Sequence, residues 1–149
     1  MYEKILMAFD GSETSLQALD EALRLAQLAH AKLYVAHVID VIAPLGMGLT
    51  YVPADLVDAY REEAKRLLDV ACARATAAGV ACETLLLEVE GVTDSVASCL
   101  IRCAVRVDAQ LAVLGTHGRR GVSRAFLGSV AEAFVREADC PVLLVRGLY

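Results

Sequence analysis

The chain has 149 residues, of which 57% are hydrophobic and 22% charged, and its formal net charge is -5. This composition predicts one globular domain over residues 1–149 and argues against disorder. The negative charge argues against general nucleic-acid binding, and no apolar run approaches the roughly 20 residues that a membrane-spanning helix needs. The start of the chain lacks a basic segment with a cleavage site, so we expect a cytoplasmic location.

Strands and helices are predicted to alternate along the chain. Short apolar runs predict strands at 4–9, 32–39, 80–89, 111–114 and 141–145, and helical spacing of apolar residues predicts helices at 12–29, 53–78, 96–107 and 130–138. Pro53 is expected as the first residue of the second helix, and Thr93 as the start of the third. The alternation predicts an α/β fold, an open parallel sheet with helices on both faces. The glycine-rich loop 40–52 is predicted to be mobile or to cover a site.

Five cysteines are present, an odd number with no Cys-x-x-Cys pair, which is poor support for a disulfide framework or a zinc site. Cys99 and Cys103 are four residues apart on a predicted helix, on the same stripe as Leu100. We therefore interpret them as buried apolar side chains and not as a metal or redox pair. His37 is interpreted as a strand residue that faces a helix.

A loop between the fourth strand and the fourth helix carries the strongest functional signal. Residues 115–129 read Gly-Thr-His-Gly-Arg-Arg-Gly-Val-Ser-Arg-Ala-Phe-Leu-Gly-Ser and include four glycines, three arginines and no acidic residue. Backbone N–H groups in such a loop point at an anion, and the dipole of the following helix favours negative charge. The loop has neither the Gly-Lys-Ser/Thr of a P-loop nor the spacing of the dinucleotide fingerprint. The residues alone therefore predict an anion-binding loop and favour a nucleotide.

Each glycine and serine of this loop is expected at its position for its own reason. Gly115 and Gly118 are predicted to allow positive φ and a close approach of the ligand. At Gly128, just before the helix, a side chain would collide with a docked phosphate. Ser129 has two interpretations. With Glu132 it makes a capping box that only closes the helix start, or it also offers its N–H and hydroxyl to phosphate.

Ligands of open parallel sheets bind beyond the carboxyl ends of the strands, where the strand order reverses. If the order is 3-2-1-4-5, the reversal lies between strands one and four, and the crevice lies between Asp10 and Gly115, with Val38 at its border. Asp10 is a candidate to bind ribose, adenine or, through water, Mg²⁺. The alternative is that Asp10 only caps the helix that begins near Ser12.

The spacing Gly115-x2-Gly118-x9-Gly128-Ser129 resembles the ATP-binding signature of universal stress proteins, with every fixed position filled. Residues 7–12 (MAFDGS) resemble the first strand and turn of that family, residues 36–40 (AHVID) its second strand, and residues 140–146 (CPVLLVR) its last strand. The resemblance covers essentially the whole chain.

The resemblance implies a Rossmann-like five-stranded sheet of order 3-2-1-4-5, similar to the adenine nucleotide alpha hydrolases, and a homodimer formed through the C-terminal strand. It implies bound ATP. Carried over by position, the implied nucleotide-binding residues are Ala8, Phe9, Asp10, Val38, Gly115, Gly118, Gly128, Ser129 and Val130. The loop adds Thr116, His117 and Arg119 as candidates. His117 either touches phosphate or only shapes the loop, and Arg119, Arg120 and Arg124 either contribute one phosphate contact or form a solvated face.

The sequence offers no evident general base, metal-ligand cluster or nucleophile setting, so we expect at most slow ATP hydrolysis. The first hypothesis is a nucleotide-responsive regulatory protein of the stress response, with a protein partner that the sequence does not name. The second is an enzyme that transfers an adenylyl or phosphoryl group near loop 40–52. The third is an interaction module in which the glycine loop is vestigial.

Overall fold

The computed structural model describes residues 1–41, 52–117 and 127–147. The strands are β1 (Lys4–Ala8), β2 (Lys32–Ile39), β3 (Cys82–Glu88), β4 (Leu111–Gly115) and β5 (Val142–Val145), and the helices are α1 (Glu13–Ala29), α2 (Ala54–Ala77), α3 (Val96–Val107) and α4 (Ser129–Glu137). Each predicted strand and helix is confirmed. Pro53 is the N-cap of α2 and not its first residue, and Ser95, not Thr93, caps α3. Within the described ranges, no helix combines the length and the apolar character needed to cross a membrane.

The strands form one sheet of order β3-β2-β1-β4-β5, as predicted, and every neighbouring pair is parallel. The central strands β1 and β4 are covered on both faces, which is why they are continuous apolar runs and not alternating ones. Ile5, Leu6 and Met7 are at most 1% exposed. The order reverses between β1 and β4, so the connections that leave these two strands diverge.

Two apolar clusters fill the space on either side of the sheet, because successive strand residues point to opposite faces. Ile5 and Met7 belong to the first cluster, together with buried residues of α1 and α2. Leu6 belongs to the second cluster, with Leu100 of α3 and Phe134 of α4. Helices α1 and α2 therefore cover one face of the sheet, and α3 and α4 cover the other.

The predicted burial of the paired cysteines is confirmed. Cys99 and Cys103 are free thiols of α3, 4% and 2% exposed, and Cys103 belongs to the second apolar cluster. Desolvation, followed by a hydrogen bond to Asp94, raises the pKa of Cys99 to about 11, which disfavours the reactive thiolate. No cluster of three or more metal-ligating side chains occurs among the residues that the structure describes.

Candidate functional site

Three chain segments end at the same edge of the sheet. In the β1–β4 register Met7 is level with Val113, which places Phe9 level with Gly115. In the β1–β2 register Ala8 is level with Ala36, which places Asp10 level with Val38. The structure therefore brings the ends of β1, β2 and β4 together at the point of strand reversal, the place where parallel sheets bind ligands.

The turn after β1 is built on side-chain hydrogen bonds. Asp10 Oδ1 accepts from the Ser12 N–H at 2.9 Å, and Ser12 Oγ accepts from the Ser15 N–H at 3.2 Å. Ser12 is the N-cap of α1, so the interpretation of Asp10 as the helix cap is wrong. Asp10 instead closes the turn before the cap, and it is only half-buried.

Gly11, between these residues, has a φ of +79°, and a Cβ on it would lie 2.5 Å from Leu67 Cδ2. The left-handed backbone and the close approach of α2 both favour glycine at this position. Helix α2 thus packs directly on the turn that presents Asp10.

The positive φ predicted for Gly115 is wrong, and a packing contact favours glycine there. Gly115 belongs to β4 and does not have a positive φ; the positive-φ glycines of the described chain are Gly11, Gly79 and Gly91. A Cβ on Gly115 would lie 2.9 Å from Thr14 Cγ2 and 3.3 Å from the Thr14 carbonyl carbon. The first turn of α1 therefore packs against the end of β4, and buried Thr14 is a residue of the site that the sequence reasoning missed.

Thr116 and His117 follow β4 and are buried, at 6% and 8% exposure. Thr116 Oγ1 and His117 Nδ1 form a hydrogen bond of 2.9 Å. The Thr116 N–H donates to Val145 O at 2.9 Å, and Thr116 O accepts from the Gly128 N–H at 2.7 Å. Thr116 therefore joins the start of the glycine loop to β5 and to the beginning of α4.

The start of α4 has backbone N–H groups that the helix itself does not bond. Gly128 is the N-cap with φ −58°, and no side chain caps the helix, so the capping-box interpretation of Ser129 is wrong. Ser129 is the first helical residue and is exposed. The first intrahelical bond joins the Glu132 N–H to Gly128 O, so the N–H groups of Ser129 and Val130 precede the helical ladder. A Cβ on Gly128 would lie 2.9 Å from Thr116 O.

Val38, near the end of β2, is half-buried. Its neighbour His37 is 9% exposed, and His37 Nδ1 lies 2.7 Å from Phe9 O. Because a carbonyl oxygen only accepts, Nδ1 must carry the hydrogen. The sequence reasoning missed this contact. The available signal was a histidine within an otherwise apolar, buried strand.

The connection after β3 adds a polar cluster at the same edge. Asp94 accepts hydrogen bonds from the N–H groups of Glu90 and Ser95, and Arg102 Nη1 and Nη2 reach its two oxygens at 3.0 and 2.9 Å. These donors, Arg102 first, hold the pKa of Asp94 well below its usual range. Arg61 of α2 likewise lowers the pKa of Glu88 at the end of β3.

Several predicted positions lie outside the described residues. These are Gly118, Arg119, Arg120 and Arg124 of the glycine loop, and most of loop 40–52. The structure places the two ends of each loop, and the predicted roles of these residues stay predictions.

Comparison with known proteins finds relatives that match nearly the whole length of this chain. The family model described as "Universal stress protein family" matches residues 1–146. A universal stress protein of Methanocaldococcus jannaschii is 34% identical over 146 residues, which are 98% of this chain and 83% of that protein.

Two solved structures show the same similarity. One, of a protein from the universal stress protein family from Burkholderia pseudomallei, is 45% identical with a TM-score of 0.78, and covers 97% of this chain and 96% of its own. The other, a universal stress protein in complex with cAMP, is 27% identical with a TM-score of 0.70 and covers 99% and 98%.

Proposed function

Since the chain belongs to the universal stress protein family, we propose that it binds an adenine nucleotide, ATP in the first instance, at the strand-reversal crevice. In this proposal the protein is a nucleotide-responsive regulator with at most slow ATP hydrolysis. The relative in complex with cAMP supports an adenine nucleotide as the class of ligand.

The start of α4 is the observation that carries the proposal. The N–H groups of Ser129 and Val130 precede the helical ladder, the Ser129 hydroxyl is exposed and not used as a cap, and Gly128 presents no side chain. The N–H groups that precede a helical ladder, together with the helix dipole, favour an anion at a helix N-terminus. We assign the phosphates to this position, with Gly118 and Arg119 as further predicted contacts.

The other side of the crevice suits the nucleoside. Asp10 is level with Val38 across the β1–β2 register, so a carboxylate and a strand edge lie side by side. We assign ribose to Asp10, adenine to the Val38 backbone, and the floor of the pocket to Ala8 and Phe9. Mg²⁺ would be held by the phosphates and, through water, by Asp10.

The hydrogen bonds at the crevice favour binding over fast chemistry. Asp10 Oδ1 is engaged with the Ser12 N–H, and His117 Nδ1 with Thr116 Oγ1. A general base needs an acceptor directed at the attacking water, and the Oδ1 and Nδ1 atoms of these two groups bond within their own turns. We therefore expect turnover below ~1 s⁻¹, at the slow end of ordinary enzyme rates.

The proposal is tested by thermal melting with and without Mg²⁺-ATP. At about 100 times its dissociation constant, ATP should stabilise the parent protein by roughly 2.7 kcal/mol. Ser129→Ala should keep the melting temperature of the free protein but bind ATP several-fold more weakly, because it removes only a hydroxyl. Gly128→Val should abolish the shift.

Ser95→Ala is the matched control, because Ser95 does cap its helix, accepting from the Ser98 N–H. This variant should lose about 1 kcal/mol of stability and keep the full ATP shift. If the parent shows no shift with ATP or AMP, the proposal fails and an interaction module becomes the better description. Turnover far above ~1 s⁻¹ would instead favour a transferase or hydrolase.

A further inference from the structure

The backbone hydrogen-bond ladder between β1 and β2 ends before its last possible bond. The Lys32 N–H donates to Glu3 O, and at the other end the Phe9 N–H donates to Ala36 O at 2.8 Å. In this parallel register the even-numbered residues of β2 bond to β1. The next step of the ladder would take the Val38 N–H to Phe9 O.

The side chain of His37, and not the Val38 N–H, bonds to Phe9 O. His37 Nδ1–H reaches Phe9 O at 2.7 Å, while within the described part of the chain no backbone hydrogen bond joins the Val38 N–H to this carbonyl. The imidazole is only 9% exposed, so the contact is shielded from competing water. The ladder therefore stops one residue early, and the Val38 peptide edge faces the crevice beyond β1.

We propose that His37 is a positioning residue for nucleotide recognition: by binding Phe9 O, it leaves the Val38 N–H and C=O for the base of the ligand. This inference rests on the proposed function and concerns the selection of the base. An N–H donor beside a C=O acceptor matches a ring that presents an acceptor next to an amino donor, as adenine does. Hypoxanthine presents the reverse pair and would not match.

Loss of the imidazole would have a specific consequence. With leucine at position 37, Phe9 O would be left unsatisfied or would take the Val38 N–H, since buried carbonyls find donors. In either case the strand edge offered to the base changes, whereas the start of α4, at the other side of the crevice, does not. Loss of the imidazole should therefore reduce discrimination between bases and leave the binding of the phosphates unchanged.

The test compares ATP and ITP affinities by titration calorimetry for the parent, His37→Leu and His37→Asn. We expect the parent to prefer ATP and His37→Leu to lose about three- to tenfold in ATP affinity, the effect of one hydrogen bond, with little change for ITP. Asparagine carries an amide N–H near the position of Nδ1, so His37→Asn should restore the preference. Val35→Ala, in the buried part of the same strand, should lower the melting temperature and keep the ATP-to-ITP ratio.

The outcomes separate this inference from the function on which it rests. If the parent binds ATP and His37→Leu keeps the ratio, the role of His37 is wrong and the proposed function stands. If the parent binds neither nucleotide, the proposed function falls and this inference with it. Should His37→Leu not fold, ¹⁵N NMR of the parent decides: we expect a hydrogen on Nδ1 of His37, and a hydrogen on Nε2 alone would overturn the inference.

Discussion

Gly115 and Gly128 each lie where a Cβ would come within 2.9 Å of an atom of another segment. At Gly115 the nearest atom is a methyl carbon of Thr14, and at Gly128 it is the carbonyl oxygen of Thr116. Both glycines thus let separate segments pack closely at the crevice, and neither needs a left-handed backbone. At these two positions the residue is dictated by a neighbour that is distant in sequence from it.

Gly115→Ala should destabilise the fold by about 1–3 kcal/mol, because the added methyl group must displace Thr14. The double variant Gly115→Ala, Thr14→Ser removes the nearest methyl carbon and should recover part of that loss. Urea denaturation of the parent, both single variants and the double variant measures the coupling. Additive losses, with no recovery in the double variant, would show that Thr14 is not the constraint.

At the scale of elements, Asp94 orders the connection between β3 and α3. It accepts from backbone N–H groups on both sides of itself and from Arg102, two turns further along α3. Ser95 then caps the helix by accepting from the Ser98 N–H. One carboxylate thereby links the end of β3 to the first turns of α3, at the edge of the sheet that carries the crevice.

The stability supplied by Asp94 should depend on pH. Because folding lowers its pKa, the contribution is complete above the unfolded value of about 3.9 and is lost as the pH falls toward the folded value. The difference in free energy of unfolding between the parent and Asp94→Asn should therefore be largest near neutral pH and shrink below about pH 4. Denaturant titrations at several pH values measure it.

Asp69→Asn is the control for this series, since Asp69 is exposed on α2 and makes no ion pair within the described ranges. The difference in free energy of unfolding between the parent and Asp69→Asn should stay small at every pH. A parent-to-Asp94→Asn difference that persists unchanged down to pH 2 would contradict the role of the ion pair.

At the scale of the whole molecule, the sheet has two edge strands, β3 and β5. The Ala112 N–H donates to Pro141 O and the Thr116 N–H to Val145 O, so the N–H groups of Val142 and Leu144 point away from β4. An apolar edge with outward donors is suited to pairing with a second chain. We propose that two copies of the protein pair through β5.

Val142→Pro tests this arrangement, because proline is tolerated at the first residue of an edge strand but removes one outward donor. We expect sedimentation velocity to show a dimer for the parent and a folded monomer for this variant. Cys82→Pro makes the same change at the first residue of β3 and should stay dimeric. If Val142→Pro and Cys82→Pro have the same oligomeric state, β5 is not the dimer contact.

Local and periodic features of the sequence determined much of this fold. Apolar runs such as 4–9 and 32–39 specified the strands, because a strand buried on both faces tolerates few polar side chains. The alternation of strands and helices specified a parallel sheet, and the spaced glycine motif specified the family. The family resemblance implied the strand order, and that order in turn predicted the crevice between Asp10 and Gly115.

Only the tertiary structure showed which atoms contact each other at the candidate site. The capping box at Ser129 satisfies the sequence rule, yet Gly128 is the N-cap: its C=O accepts the first helical bond, and its N–H donates to Thr116 O. Thr14 under Gly115, and His37 on Phe9 O, are contacts between residues far apart in the chain. Periodicity reports which face of an element is buried, but it carries no information about which atom of another element will meet that face.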